Sequence, residues 1–120
     1  MSVLVALTNS AEGKAALEAG ANEAAALNVQ LTVVNLSGSE VDTTAIAADV
    51  PYEVVVPDGA SDIDEVEQVL QVIEDRPEVT RLVVGVRKRS PIGKAVLGSI
   101  AQRLILEATV PVLSVKTTDA

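Results

Sequence analysis

The apolar residues of this chain fall into short runs, separated by segments in which apolar residues recur at helical spacing. Each run is rich in Val, Leu or Ile and has the length of a buried strand. The pattern predicts five strands: Ser2–Thr8, Gln30–Leu36, Tyr52–Val56, Val79–Val86 and Val110–Lys116.

The segments between these runs predict helices. Ala11–Leu27 is rich in Ala and places small residues on one face. Val66–Ile73 has apolar residues at i, i+3, i+4 and i+7, which predicts a second helix. A third helix is predicted over Lys94–Glu107, whereas the β-branched and acidic Val41–Asp49 favours only a weak helix. Alternating strands and helices predict an α/β fold with an open parallel sheet, right-handed crossovers and helices on both faces.

Composition narrows the function classes. The 120 residues suit a single domain spanning 1–120, and Tyr52 is the only aromatic residue, which argues against single-stranded nucleic-acid binding by base stacking. Because the chain has neither Cys nor His, thiol chemistry, imidazole bases and the usual zinc sites are excluded. We find no secretory segment and no apolar run of membrane-spanning length, and therefore expect a cytoplasmic protein without a membrane partner.

The net charge of −8 is distributed unevenly. Residues 1–75 contain one basic residue, Lys14, against fourteen acidic ones, and the remainder contains eight basic residues against three acidic ones. An acidic body repels nucleic acid, but a local basic segment can still select a small anion.

That basic segment follows the fourth predicted strand. In an open parallel sheet, ligands bind at the carboxyl ends of the strands, and four cationic residues lie at this edge: Arg87, Lys88, Arg89 and Lys94. Gly98 and Ser99, within the predicted third helix, could donate backbone N–H and hydroxyl groups to a phosphate. For this pair the alternative is tight helix packing at Gly98 and a buried Ser99 bonded to a carbonyl. For the four cationic residues the alternative is a solvated charged loop; a P-loop is excluded because Ala95 follows Lys94.

The spacing Gly85-x-x-Lys88, nine residues, Gly98–Ser99 resembles the nucleotide-binding signature G-x2-G-x9-G-[ST] of the universal stress protein family. The resemblance covers nearly the whole chain and implies a five-stranded sheet of order 3-2-1-4-5. It also implies binding of ATP or AMP, with Mg²⁺ only alongside the nucleotide, and a homodimer formed through Val110–Lys116.

The same resemblance implies roles for individual residues. It places Gly85 near the ribose, Leu36 against the adenine through its backbone, and Gly98, Ser99 and Ile100 on the phosphates. Thr8 stands where many ATP-binding members carry an aspartate, and Lys88 replaces the second glycine of the signature. The segment between the second and third strands is also shorter than usual, which affects the adenine side of the site.

The start of the first predicted helix contains the remaining polar residues that could cap a helix or act in catalysis. Asn9 and Ser10 can both cap this helix, and Asn9 with Glu12 resembles a capping box. Ser10 is read as a cap rather than a nucleophile because no His can serve as its base. We predict no catalytic residue and no metal site, and at most slow ATP hydrolysis.

Two functions remain open from the sequence. The first is a dimeric stress-response sensor that binds an adenine nucleotide or a related phosphate anion. The second is a non-nucleotide member of the same family that regulates an unknown protein partner, with Lys88 and Thr8 blocking the pocket. Measurable ATPase activity lost on Ser99→Ala would instead indicate a phosphohydrolase.

Overall fold

A computed structural model describes residues 1–89, 94–96 and 98–117, with side chains at 88, 89 and 94–96 left aside. The strands are β1 Ser2–Leu7, β2 Gln30–Asn35, β3 Tyr52–Val55, β4 Val79–Arg89, β5 Lys94–Val96 and β6 Val112–Lys116. The helices are α1 Ala11–Leu27, α2 Glu65–Asp75 and α3 Ser99–Glu107, with a short 3₁₀ turn at Thr43–Ala45.

Five of these strands form one parallel sheet in the order β3-β2-β1-β4-β6. Numbered as the five predicted strands, this is the order 3-2-1-4-5, so the predicted α/β class and sheet order are confirmed. β5 is additional: it pairs antiparallel with the far end of β4, Arg87–Arg89.

Side chains from the two faces of the sheet build two separate cores. α1 covers one face, where Val5, Val33 and Val83 are buried. The other face buries Leu4, Leu82 and residues of α2 and α3 such as Val69 and Leu104. Helices therefore lie on both faces of the sheet, as predicted.

α1 begins one residue later than a capping box at Asn9 requires. Ser10 is the N-cap, and its Oγ accepts a hydrogen bond from the N–H of Gly13 at 3.0 Å. The capping-box prediction was therefore wrong, and the assignment of Ser10 as a cap is confirmed. With Ser10 as the N-cap, Glu12 is the second residue of α1 and does not form a capping box. Its carboxylate is therefore available for another contact.

The connections near the predicted site also differ from expectation. β4 extends to Arg89, three residues past the predicted end at Val86, because Arg87–Arg89 pair with β5. Lys94 lies in β5, and α3 begins only at Ser99. Between β2 and β3, the weak helix predicted over Val41–Asp49 is reduced to the 3₁₀ turn at Thr43–Ala45.

Over the ranges that the structure describes, none of the helices is both long enough and apolar enough to cross a bilayer.

Candidate functional site at the ends of β1 and β4

The strand order reverses between β1 and β4, and the carboxyl ends of these two strands open a crevice. Three predicted site residues from different elements line it. Thr8 directly follows β1, Gly85 lies in β4, and Ile100 lies in the first turn of α3. The fold thus brings together residues that are far apart in the sequence.

The crevice is shallow. Its enclosed volume is about 10 Å³, and it is closed by Ala6, Val84, Ala101 and Leu104. An adenine ring cannot enter between these side chains, so a nucleotide has to lie on their outer side. A larger cavity of about 330 Å³ opens between β2, β3 and α2, but none of the predicted site residues lines it.

Thr8 organises the start of α1 through its side chain. Its Oγ1 lies 2.8 Å from Oγ of Ser10, the N-cap that also receives the N–H of Gly13. The Ser10 N–H in turn donates to the Thr8 carbonyl at 3.0 Å. A neutral hydroxyl at this position joins the cap, where an aspartate would have brought a charge into the crevice.

Gly85 is required by packing. A β carbon at this position would lie 2.0 Å from the carbonyl oxygen of Glu12 and 2.9 Å from its Cβ. Only a residue without a side chain lets the first turn of α1 approach β4 this closely. The backbone of Gly85 lines the crevice on the opposite side.

Gly98 shows the opposite behaviour. It is exposed, its φ of −67° and ψ of 162° are open to any residue, and an added β carbon meets no described atom within 4 Å. As the N-cap of α3 it supplies no side-chain hydrogen bond. Neither its backbone conformation nor packing against the described residues accounts for a glycine here.

The first turn of α3 therefore presents its amides without a side-chain cap. The first α3 bond is donated by Gln102 N–H to the Gly98 carbonyl at 2.9 Å. The N–H groups of Ser99, Ile100 and Ala101 precede that bond and have no partner within the helix. Ser99 is exposed beside them, so this terminus has the features of an anion site.

Leu36 follows β2 and packs partly buried against the α2 and α3 side of the core. Its N–H donates to the Leu7 carbonyl at 2.8 Å. Any backbone contact from Leu36 to an adenine would therefore have to come from its carbonyl.

Arg87 lies on the α1 side of the sheet, because side chains alternate along β4 and Gly85 also faces α1. Its Nε is 3.5 Å from Oε2 of Glu12. This oxygen is shielded from solvent and accepts no hydrogen bond from the described residues, so the contact is a charge pair. Glu12 is thus a member of the site region that sequence reasoning assigned to capping alone.

The remaining basic residues of the predicted cluster are Lys88, Arg89 and Lys94. Their backbone forms the pairing between β4 and β5, which places them on a projection beyond the parallel sheet. Their side chains lie outside the described part of the chain, so their role in an anion site stays a prediction.

An exposed ion pair links the start of α2 to α3. Nη1 of Arg103 lies 2.8 Å from Oδ2 of Asp64, the N-cap of α2. The backbone N–H of Glu67, followed by the Arg103 guanidinium, lowers the pKa of the Asp64 carboxyl below its ordinary value. The hydrogen bond that Arg103 donates to Asp64, followed by the one it donates to Glu107, raises the pKa of the Arg103 guanidinium.

No three acidic side chains gather closely enough to hold a metal ion within the ranges described. The chemistry this region offers is therefore that of backbone donors and a few cations. Groups of this kind can hold an anion, and no described side chain of the crevice is placed as a general base.

The fold and the crevice define an open α/β protein with a ligand edge at the ends of β1 and β4. The model of the universal stress protein family matches residues 52–116. A universal stress protein from Mycolicibacterium smegmatis is 40% identical, with 87% of this chain and 88% of that protein covered. The chain belongs to the universal stress protein family.

Solved structures support the same fold. A universal stress protein from Archaeoglobus fulgidus superposes with a TM-score of 0.75 at 24% identity, covering 97% of this chain and 98% of that one. The A. fulgidus structure in complex with dAMP gives 0.71 at 19% identity, with the same coverage. A universal stress protein in complex with cAMP gives 0.64 at 21% identity, covering 98% of both chains.

Proposed function

We propose that this protein binds an adenine nucleotide, with its phosphate held by the uncapped N-terminus of α3. The observation that carries the proposal is Gly98. Neither backbone geometry nor packing against the described residues requires this glycine, and as an N-cap without a side chain it leaves the amides of Ser99 and Ile100 open, next to a crevice lined by Thr8 and Gly85. The partial positive charge of a helix N-terminus favours a phosphate at this point.

Two structural neighbours support this ligand class. Universal stress proteins of the same fold are known in complex with dAMP and with cAMP. Both ligands pair an adenine with one phosphate group, which matches one helix terminus better than a triphosphate does. We therefore expect AMP to bind without Mg²⁺, and ATP to gain from Mg²⁺ only through its additional phosphates.

In our proposal the protein acts as a dimeric cytoplasmic sensor in a stress response and does not turn its ligand over rapidly. Dimerisation through β6 is part of the proposal, because β6 pairs only with β4 among the described strands. The free edge of such a strand is a template for pairing with a second copy.

Isothermal titration calorimetry with AMP and with ATP, each with and without Mg²⁺, tests the proposal. We expect saturable heat for AMP and an affinity that falls as salt rises, because part of the binding energy is electrostatic. The absence of heat at millimolar nucleotide would contradict nucleotide binding.

Two observations favour a second function, a non-nucleotide regulatory module that docks a protein partner. The crevice holds only about 10 Å³, and Arg87 is directed towards Glu12 on the α1 side of the sheet. In this case inorganic phosphate would shift the amides of Ser99 and Ile100 as strongly as AMP does, because the adenine would add no contact.

A further inference from the structure

The surface of β3 on the α1 side of the sheet is a groove with an apolar floor. Tyr52, Val54 and Val56 lie at alternate positions, with 44%, 39% and 72% of their surfaces exposed. They line a cavity of about 740 Å³. The short connection between β2 and β3 contains only a 3₁₀ turn, so no α-helix from this connection covers them.

The walls of this groove are held in place before any ligand arrives. Asn35 Nδ2 donates to the Ser39 carbonyl at 2.7 Å, and Asn35 Oδ1 accepts the Ser37 N–H at 3.0 Å. On the other side, Asp42 Oδ1 accepts the Thr44 N–H at 3.1 Å and fixes the turn that carries Thr43. A preformed wall lowers the entropy cost of binding.

The backbone of β3 is open on the side away from β2. The Pro51 carbonyl accepts the Leu31 N–H at 2.9 Å, so backbone groups at Pro51 face β2. Because these groups alternate along a strand, the N–H and C=O groups of Tyr52 and Val54 point outward. Within the described part of the sheet, β3 pairs only with β2, so these outward groups form an unpaired ladder.

The charge around the groove selects the occupant. Glu40 lines it and forms no ion pair with any described residue. Asp42 stands at its turn, and hydrogen bonds from Thr44, with the hydroxyl contributing most, lower the pKa of its carboxyl. Residues 1–75 carry fourteen acids and one base, Lys14, whose charge also acts on Asp42, so the excess of acidic residues in this part of the chain favours a basic partner.

We infer that the groove binds an extended peptide segment of a partner protein, added as a strand along β3, with apolar side chains and a basic side chain at alternate positions, all on the face turned towards the groove. The apolar side chains would fill the floor between Val41, Val54 and Val56. A lysine or arginine would lie over the ring of Tyr52 or beside Glu40. Main-chain hydrogen bonds to Tyr52 and Val54 supply affinity, and the floor supplies specificity.

The test uses an acetylated and amidated heptapeptide with valine, valine and lysine at positions 2, 4 and 6 and serine elsewhere, titrated into the ¹⁵N-labelled protein. We expect amide shifts at Tyr52, Val54 and the wall residues Gly38 to Val41, together with slowed hydrogen exchange at the Tyr52 and Val54 amides. The same peptide carrying N-methyl groups on alternate residues cannot pair and should not bind. A peptide with glutamate in place of lysine should bind about tenfold more weakly or not at all.

Val54→Pro removes one outward donor without touching the ladder to β2, because proline is tolerated at a free strand edge. It should weaken binding of the lysine peptide by up to about tenfold. Tyr52→Ser, which removes the ring, provides a second variant if the proline disturbs the strand. Leu106→Ser, at an apolar residue of α3 that is 75% exposed, is the control and should leave binding unchanged.

Peptide shifts that map to the basic projection or to α3 in place of β3 would overturn the inference. Equal binding of the N-methylated peptide would overturn it as well. Self-association that Val54→Pro abolishes, without any response to the peptide, would assign the groove to a second copy of this chain and reject a peptide partner.

Discussion

At the scale of single residues, the two glycines of the signature perform different tasks. Gly85 is demanded by the close approach of Glu12, whereas Gly98 faces open space in the described structure. The sequence predicts the positions of both from their spacing. It cannot separate the two tasks, because the packing of α1 on β4 is a contact between distant segments. Glu12 was assigned to a capping box for the same reason: its neighbour Arg87 is far away along the chain.

Gly85→Ala should destabilise the fold by about 1–3 kcal/mol, because the added carbon meets backbone that can move only with the whole of α1. Urea unfolding measures this loss. Gly59→Ala is the matched control, since a β carbon at Gly59 meets no described atom within 4 Å. If the Gly85→Ala protein were as stable as the control, close packing of α1 against β4 at Gly85 would be contradicted.

At the scale of elements, the apolar pattern predicts the parallel strands and α1 well, because each buries a regular face. It predicts the start of α3 poorly. Lys94–Val96 has helical propensity, yet it pairs as β5 with Arg87–Arg89, and the helix begins at Ser99. Tertiary pairing here overrides local propensity. Because the helix begins at Ser99 and not at Lys94, Gly98 becomes its N-cap, and a glycine cannot cap the first amides of α3 with a side chain.

The Asp64 carboxylate, which accepts the Glu67 N–H as the N-cap of α2 and pairs with Arg103 of α3, should make this junction of the two helices dependent on pH. The pKa of Asp64 is lowered in the folded state from an ordinary value of 3.8, so its contribution is complete above that value. It is lost as the pH falls through the lowered pKa. Asp64→Asn should therefore lower the midpoint of thermal unfolding at pH 7 but not in strong acid.

Thermal unfolding of both proteins at a series of pH values checks this, with Asp62→Asn, another exposed carboxylate nearby, as the control. High salt should reduce the difference at pH 7, because the pair is exposed. A difference between Asp64→Asn and the unchanged protein that stays constant down to the acid limit would exclude the pair as its cause.

At the scale of the whole molecule, the chain has an acidic first part and a basic remainder, and each contributes one edge strand to the described parallel sheet. β3 closes one side of the parallel sheet and β6 the other. The charge distribution can be predicted from the sequence alone. Which strands end up at the edges follows from the crossover order, which came from the family resemblance and is confirmed by the structure.

The proposed dimer through β6 should be sensitive to charge at Leu113, which is 38% exposed on this edge strand. Leu113→Asp should give a monomer in sedimentation velocity, because two like charges would meet across the two-fold axis. Leu106→Asp, at an exposed residue of α3, should leave the dimer intact. A dimer that survives Leu113→Asp would place the interface elsewhere.

The central claim, that the uncapped start of α3 holds a nucleotide phosphate, is tested most directly by titrating AMP into the unchanged protein, Gly98→Ser and Gly59→Ser. Serine at Gly98 adds a side-chain cap, so it should keep or slightly raise stability while competing for the Ser99 and Ile100 amides. We predict saturable AMP binding in the unchanged protein and in Gly59→Ser, weakened by roughly tenfold in Gly98→Ser. Equal AMP affinity in Gly98→Ser and Gly59→Ser would contradict the account.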